Sequence, residues 1–326
     1  MKACIVGAGA IGAFIGARLA AAAQCEVSAV ARGATLDALR RHGWRLQDGE
    51  RLLQAPAQAV DAPGALGPQD LVVIAVKGPS MPQVARSIAP LLAPRTIVMP
   101  AMNGVPWWFV QGIEGIGEAP LQSVDPGGVV SRAIARGHVL GCVVHASASR
   151  VEPGLVRVHQ GRRLIVGEPA GGASERVEGV ARLLEGAGFE VERSAAIRRD
   201  IWYKLWGNMT VNPVSAITGA TADRILADAD VREFCAAAMR EAAAIGARIG
   251  CSIDETPEDR QRVTAKLGAF RTSMLQDAEA GRAIELDAIV GAVAELGRRT
   301  GVAAPNVNAL LGLTRLFARV RHLYPG

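Results

Sequence analysis

The sequence predicts an α/β chain in which an N-terminal doubly wound parallel sheet is followed by an all-helical C-terminal domain. Three observations carry that prediction. Short apolar runs alternate with helix-period segments through the N-terminal half, the pattern of strands joined by crossover helices. A glycine-rich turn, Gly7-Ala8-Gly9-Ala10-Ile11-Gly12, ends the first apolar run and opens the first helical one. After about residue 196 strand signals nearly vanish and long helical patterns take over, which divides the 326 residues into 1–196 and 197–326.

In chain order, strands are predicted over 3–7, 26–31, 70–76 and 96–100, with helices over 11–23, 35–42 and 80–92. Asp48-Gly49, between extended stretches 44–47 and 51–54, reads as a hairpin turn. Extended runs follow at 137–145, 154–158 and 164–167. A helix over 175–186 and a strand over 189–192 are expected to finish the sheet. The C-terminal part reads as helices over 201–217, 228–249, 257–279, 285–300 and 307–319.

Composition narrows the function. Half the residues are apolar and 21% are charged, as in ordinary globular chains. The formal charge is +5, but the cations are scattered in pairs such as Arg40-Arg41 and Arg298-Arg299, with no run of five and no aromatic–basic stripe. That argues against a nucleic-acid partner and suits an anionic cofactor or substrate. The cysteines, at 4, 25, 142, 235 and 251, are odd in number and widely spaced, as expected of free thiols in a reducing compartment and not of a disulfide or zinc scaffold. No uninterrupted run of eighteen apolar residues occurs, so no membrane span is expected. The apolar N-terminus, interrupted by Arg18 and punctuated by glycines, reads as a strand and helix and not as a signal peptide; a cytoplasmic location is expected.

The glycine pattern between a strand and a helix is the dinucleotide-binding fingerprint of a Rossmann domain. Gly7 permits the tight turn, Gly9 lets the backbone approach a pyrophosphate, and Gly12 lets helix and strand pack closely. The free amides at the helix start, from Ala8 to Ile11, then face the phosphates. An NAD-binding chain usually ends its second strand on Asp or Glu; here the residue is Arg32, which suits the 2′-phosphate of NADPH, unless it is an ordinary surface arginine.

Rare residues mark the second site. Of 36 basic residues only Lys2, Lys77, Lys204 and Lys266 are lysine, so a lysine marks a position where arginine does not serve. Asparagine occurs only at 103, 208, 212, 306 and 308. Lys204, Asn208 and Asn212 are spaced i, i+4, i+8, which lays a cationic proton donor and two amides along one helix face, as a bound oxo acid requires. A core helix with incidental polar residues is the alternative. Lys77 and Asn103-Gly104 follow two predicted strands, on the carboxyl edge where such sheets bind ligands or simply turn. Helical phase places Glu285 beside Ile289, Ala292 and Leu296, pointing inward, with Asp287 pointing away; its partner there is a substrate group or an internal arginine.

Together these residues resemble the ketopantoate reductase family (2-dehydropantoate 2-reductases) over nearly the whole chain. The resemblance rests on the glycines at 7–12, Arg32, Lys77, Asn103-Gly104, Lys204-x3-Asn208-x3-Asn212-Pro213 and Ser273-Met274-x-Gln276-Asp277-x3-Gly281-Arg282-x2-Glu285-x-Asp287. It implies NADPH as cofactor, with Lys77 and Asn103 beside it, and Lys204 as general acid. It also implies Asn208, Asn212, Ser273 and Glu285 as substrate-binding groups. Met102, Trp107, Trp108 and Ile284 depart from the family's usual residues, so the reaction class is safer than the substrate. The expectation is NADPH-dependent reduction of ketopantoate to pantoate in a cleft between the domains, with a small 2-oxo acid as the only implied partner and a homodimer left open. The rivals are a reductase of another small 2-oxo acid and a non-catalytic NADP(H)-binding sensor.

Overall fold

A computed structural model describes residues 1–324 and divides them into two compact units. The first comprises Met1–Met102 and Val129–Asp200. Its core is a parallel sheet built from β1 (Lys2–Val6), β2 (Glu26–Val30), β5 (Gln58–Val60), β6 (Leu71–Ile74) and β7 (Ile97–Pro100), in the order β5-β2-β1-β6-β7. Between β1 and β2 runs α1 (Ala10–Ala22), and α2 (Gly33–His42) follows β2. A hairpin of β3 (Trp44–Asp48) and β4 (Arg51–Ala55) comes next, then α3 (Met81–Ser87) after β6. The chain moves outward from β1 to β2 and then returns to place β6 on the other side of β1, a reversal of the kind at whose carboxyl strand ends such sheets bind ligands.

The later extended runs do not finish this sheet as expected. After α4 (Val129–Ala133), they form β8 (Gly141–Glu152), β9 (Leu155–Gly167) and, past α5 (Glu175–Gly186), β10 (Glu190–Ser194). These join β3 and β4 in a second sheet, ordered β10-β9-β3-β4 with β8 along β9. The two short runs at 154–158 and 164–167 prove to be the ends of one strand: its first part pairs with β3 and its last part with β10. β8 covers the whole of β9 antiparallel and absorbs the mismatch in irregularities near Ser147 and Glu152.

This arrangement explains why α1 is apolar on nearly every face. Residues from Gly12 to Ala17, with Leu19, are buried, and the helix packs between the dinucleotide-type sheet and the second sheet. Gly16 lies against the fully buried Trp44 of β3; a Cβ there would fall 2.5 Å from the indole.

The second unit comprises Asn103–Gly128 and Ile201–Gly326. Its helices are α6 (Ile197–Thr218), whose first turn belongs to the first unit, α7 (Ala222–Ala227), α8 (Ala229–Arg248), α9 (Pro257–Ala265), α10 (Ser273–Glu279), α11 (Ala292–Thr300) and α12 (Pro305–Val320). The single helix expected over 257–279 breaks at Gly268, where φ is +62°, and restarts behind the cap Thr272. The helix expected from 285 begins at Leu286 and runs through a π turn, Asp287–Gly291, before α11. Residues 103–128, expected within 1–196, instead pack with the helices. Trp107, Trp108 and Phe109 are buried there, and Phe109 stacks on Trp202 of α6 with ring centroids 6.0 Å apart.

Gly16→Ala should lower stability by about 1–3 kcal/mol, because the Trp44 ring has no room to retreat. Gly179→Ala, on the exposed face of α5 with nothing within 4 Å of the added carbon, should be neutral or slightly stabilising. Thermal unfolding of the two variants checks the pair: equal melting temperatures would remove the Trp44 contact as a constraint.

Candidate active site

The dinucleotide-type fingerprint is assembled at the carboxyl end of β1. Gly7 has φ +92°, and an added Cβ would fall 2.5 Å from Val76 and 2.9 Å from the Ala75 carbonyl. At Gly12 the added carbon would lie 2.0 Å from the Gly7 carbonyl, so helix and strand touch through backbone alone. Gly9 is the contrast: nothing lies within 4 Å of its missing side chain, and it is exposed. It stands as the N-cap of α1, with no side chain capping that helix and no acidic residue in its first turn. A cradle walled by Gly7 and Gly12, open at Gly9 and headed by uncapped amides of Ala10, Ile11 and Gly12 fits a pyrophosphate.

Arg32 follows β2 as the residue before α2 and is exposed. Its Nη1 donates to Gln83 Oε1 at 2.6 Å, a tether from α3 that sequence spacing could not reveal. Ala8 is buried beside the cradle. Lys77 is half-buried three residues beyond the end of β6, which is shorter than the 70–76 expected.

The helical unit carries the rest. Lys204, Asn208 and Asn212 lie on α6 as their spacing requires, the first two half-buried and Asn212 buried. The Lys204 Nζ donates to Asn103 Oδ1 at 2.9 Å, across 101 residues of sequence. Asn103, expected beside the cofactor, thus meets the catalytic candidate within its own unit. Lysine has three donors and no acceptor, so this bond directs the ammonium through one of its protons.

Asn103 is held by its neighbours. Val105 N donates to the Ala288 carbonyl at 2.8 Å. Gly104, at φ +82°, approaches so closely that a Cβ would fall 2.4 Å from that same carbonyl. Further along, Glu295 of α11 accepts from the amides of Gln122 and Ser123, both at 2.9 Å, and from Arg299 at 2.7 Å. Burial alone would push the Glu295 carboxyl up, but these donors together hold it below the usual carboxylate range. Sequence reasoning missed Glu295, since the two backbone amides it accepts from, those of Gln122 and Ser123, lie more than 170 residues away.

Asn212 is braced from behind. Ser215 Oγ donates to the Asn212 carbonyl at 2.7 Å and pairs with Thr272 Oγ1 at 2.6 Å. Thr272 caps α10, so Ser273 is the first residue of that helix; it is exposed. Glu285 precedes the helical region, so the helical phase used to orient it does not apply. It is half-buried between the buried Ile284 and Leu286, and Asp287 is half-buried too instead of pointing away. Trp107, Trp108 and Ile284, singled out above as unlike what the resemblance implies, are all core residues.

Residues 3–171 match the family described as Ketopantoate reductase PanE/ApbA, and residues 196–318 match its C-terminal domain. The chain belongs to the ketopantoate reductase family. A 2-dehydropantoate 2-reductase of Mesorhizobium japonicum is 43% identical over 99% of this chain and 100% of its own length. A crystal structure described provisionally as a ketopantoate reductase from Ralstonia solanacearum MolK2 is 53% identical, covers 99% of both chains and superposes with a TM-score of 0.96. The 2-dehydropantoate 2-reductase of Methylococcus capsulatus is 28% identical over 98% of both chains, with a TM-score of 0.82. Among the described residues no helix is long and apolar enough to cross a membrane, and no cluster could hold a metal ion.

Glu295→Gln replaces one acceptor with a donor and orphans a backbone amide, at a cost of about 1–3 kcal/mol. Because the folded carboxyl sits below its unfolded value near 4.3, roughly the model-peptide figure, its stabilisation is present above that pH and lost as pH falls through the lower folded value. Unfolding midpoints should therefore differ at neutral pH and converge in acid. A difference that persists unchanged in acid would show that the carboxylate's charge is not what fastens residues 103–128.

Proposed function

We propose that this chain reduces ketopantoate to pantoate with NADPH, the first unit holding the dinucleotide and the helical unit the 2-oxo acid. The observation that carries this reading is the Lys204–Asn103 bond, which puts the directed ammonium on the helix face shared with Asn208 and Asn212. A non-catalytic sensor would need the glycine cradle and Arg32 but has no use for that constellation. The family, with a relative at 43% identity named for this reaction, supports the same substrate and the place in pantothenate and coenzyme A synthesis that goes with it.

The cradle of Gly7, Gly9 and Gly12 fits the pyrophosphate, and Arg32, Lys77 and the helix amides would hold the anionic cofactor. When bound, the reduced nicotinamide supplies a hydride to the carbonyl carbon. Charge then develops on the carbonyl oxygen, and Lys204 stabilises it and delivers a proton there. Asn103 fixes the direction of that proton by accepting one of the other two. Asn208 and Asn212 offer amide donors and acceptors to the carboxylate and hydroxyl of the substrate, with Ser273 and Glu285 completing its orientation. Such a reaction needs no metal ligand set and proceeds on a soluble small molecule, in keeping with a cytoplasmic enzyme.

Loss of nicotinamide absorbance on addition of ketopantoate tests the reading directly, with a panel of other 2-oxo acids beside it. Turnover of a different acid in preference would move the substrate; cofactor binding with no turnover of any would favour the sensor. Arg32→Ala should raise the KM for NADPH roughly tenfold or more and hardly change the use of NADH, as loss of one charge-assisted phosphate contact requires. An equal loss with both cofactors would free Arg32 from reading the phosphate. Lys204→Met should lower kcat by about 10²–10⁴-fold while NADPH affinity, by fluorescence titration, stays put. Lys204→Arg should recover little, because a guanidinium holds its proton and has the wrong shape. A kcat near wild type in the methionine variant would take Lys204 out of the mechanism.

A further inference from the structure

The C-terminal tail returns to the segment that carries Glu285. Beyond Val320, α12 ends in a paired turn: Leu323 N donates to the Ala318 carbonyl at 2.7 Å and His322 N to the Arg319 carbonyl at 3.1 Å. This turn requires a left-handed residue at its corner, usually glycine, and here the corner is His322 at φ +56°. That conformation is unfavourable for a residue with a Cβ and persists where surrounding contacts impose it.

Those contacts fall on both sides of Glu285. The Leu323 carbonyl accepts from Ile284 N at 3.0 Å, while the Leu323 side chain is buried. The Tyr324 hydroxyl donates to the Asp287 carboxylate, lying 2.6 and 2.7 Å from its two oxygens. Arg315 and Arg319, one turn apart on α12, stand over the Tyr324 ring at 6.0 and 5.8 Å from its centroid. Burial first, and then the Asp287 carboxylate, push the Tyr324 hydroxyl up to about 12, so it remains a donor at any physiological pH.

A buried leucine alone would dock the tail. The tyrosine adds a bond to a polar group two residues from Glu285, at the first residue of the π turn. We propose that the tail is a latch: through the Tyr324–Asp287 bond it sets the position from which Glu285 meets the substrate. The latch rests on the reading of Glu285 as a substrate-binding group. Tyr324 is a positioning residue, since it acts only through Asp287 and the backbone between Ile284 and the π turn. The same turn offers the Ala288 carbonyl to Val105, so the latch also bears on the strand of chain that holds Asn103.

Tyr324→Phe removes one hydroxyl and keeps the ring. It should raise the KM for ketopantoate about tenfold, the loss expected for a hydrogen bond to a charged group, with kcat changed less and NADPH affinity unchanged. Glu285→Gln should itself lower kcat/KM strongly, and adding Tyr324→Phe to it should cost no further factor. A general loosening of the fold would cost the same factor in both backgrounds, and that result overturns the latch. A Tyr324→Phe enzyme within twofold of wild type, with Glu285→Gln impaired, overturns the latch and spares the reading of Glu285. A fully active Glu285→Gln enzyme removes that reading and the latch with it. If Tyr324→Phe is too unstable to assay, Asp287→Ala is expected to show the same KM rise and the same absence of a further factor behind Glu285→Gln; an additive loss there overturns the proposal equally.

Discussion

The seam between Gly104-Val105 and the π turn at Ala288 governs the geometry of the helical unit's polar residues. It joins two stretches of chain through a backbone hydrogen bond of 2.8 Å and an approach so close that only glycine fits. On one side of it lies Asn103, whose amide oxygen directs the Lys204 ammonium. On the other, three residues before Ala288, lies Glu285. Because a backbone contact has no rotamers to vary, the seam fixes both side chains' starting points with little freedom, as catalysis through orientation demands. Glu295 secures the far end of residues 103–128 by accepting two of their amides, which a segment without strands or long helices would otherwise leave without a ladder partner.

The two units use opposite means to build their sites. In the first, the proposed cradle depends on absence of side chains: Gly7 and Gly12 permit approaches that a Cβ would block, and Gly9 leaves space at a helix start. The chain tolerates Gly12 and Gly16 within α1 because six alanines favour the helix and burial between two sheets stabilises it. In the second, the proposed site draws on a few polar side chains standing out from an apolar bundle. α6 buries Trp202 and Trp206 on one side, with the Trp206 ring nitrogen satisfied by the Met239 carbonyl at 2.7 Å. Its other face is left to Lys204, Asn208 and Asn212. Behind Asn212 the buried Ser215 hydroxyl is fully paired, with the Asn212 backbone carbonyl and with Thr272, as a low-dielectric interior requires.

The sequence by itself determined whatever depends on local spacing. The glycine fingerprint, the first strands and helices, and the face shared by Lys204, Asn208 and Asn212 were legible, because periods of two and 3.6 residues and the φ freedom of glycine are properties of neighbouring residues. The rarity of lysine in an arginine-rich chain pointed to Lys204 on chemical grounds alone. Only the tertiary structure decided which sheet each later strand joined, since β8, β9 and β10 have the same alternation whichever partner they take. It also decided that residues 103–128 belong with the helices, that Glu285 precedes the π turn, and that Gln83, Glu295 and Tyr324 bond to Arg32, to Gln122 and Ser123, and to Asp287. Each of those contacts joins residues far apart in the chain, and no local period records them. They form between whichever polar groups the packed fold brings within reach, and where those groups are part-buried, as at Glu295 and Tyr324, leaving them unpaired would be costly.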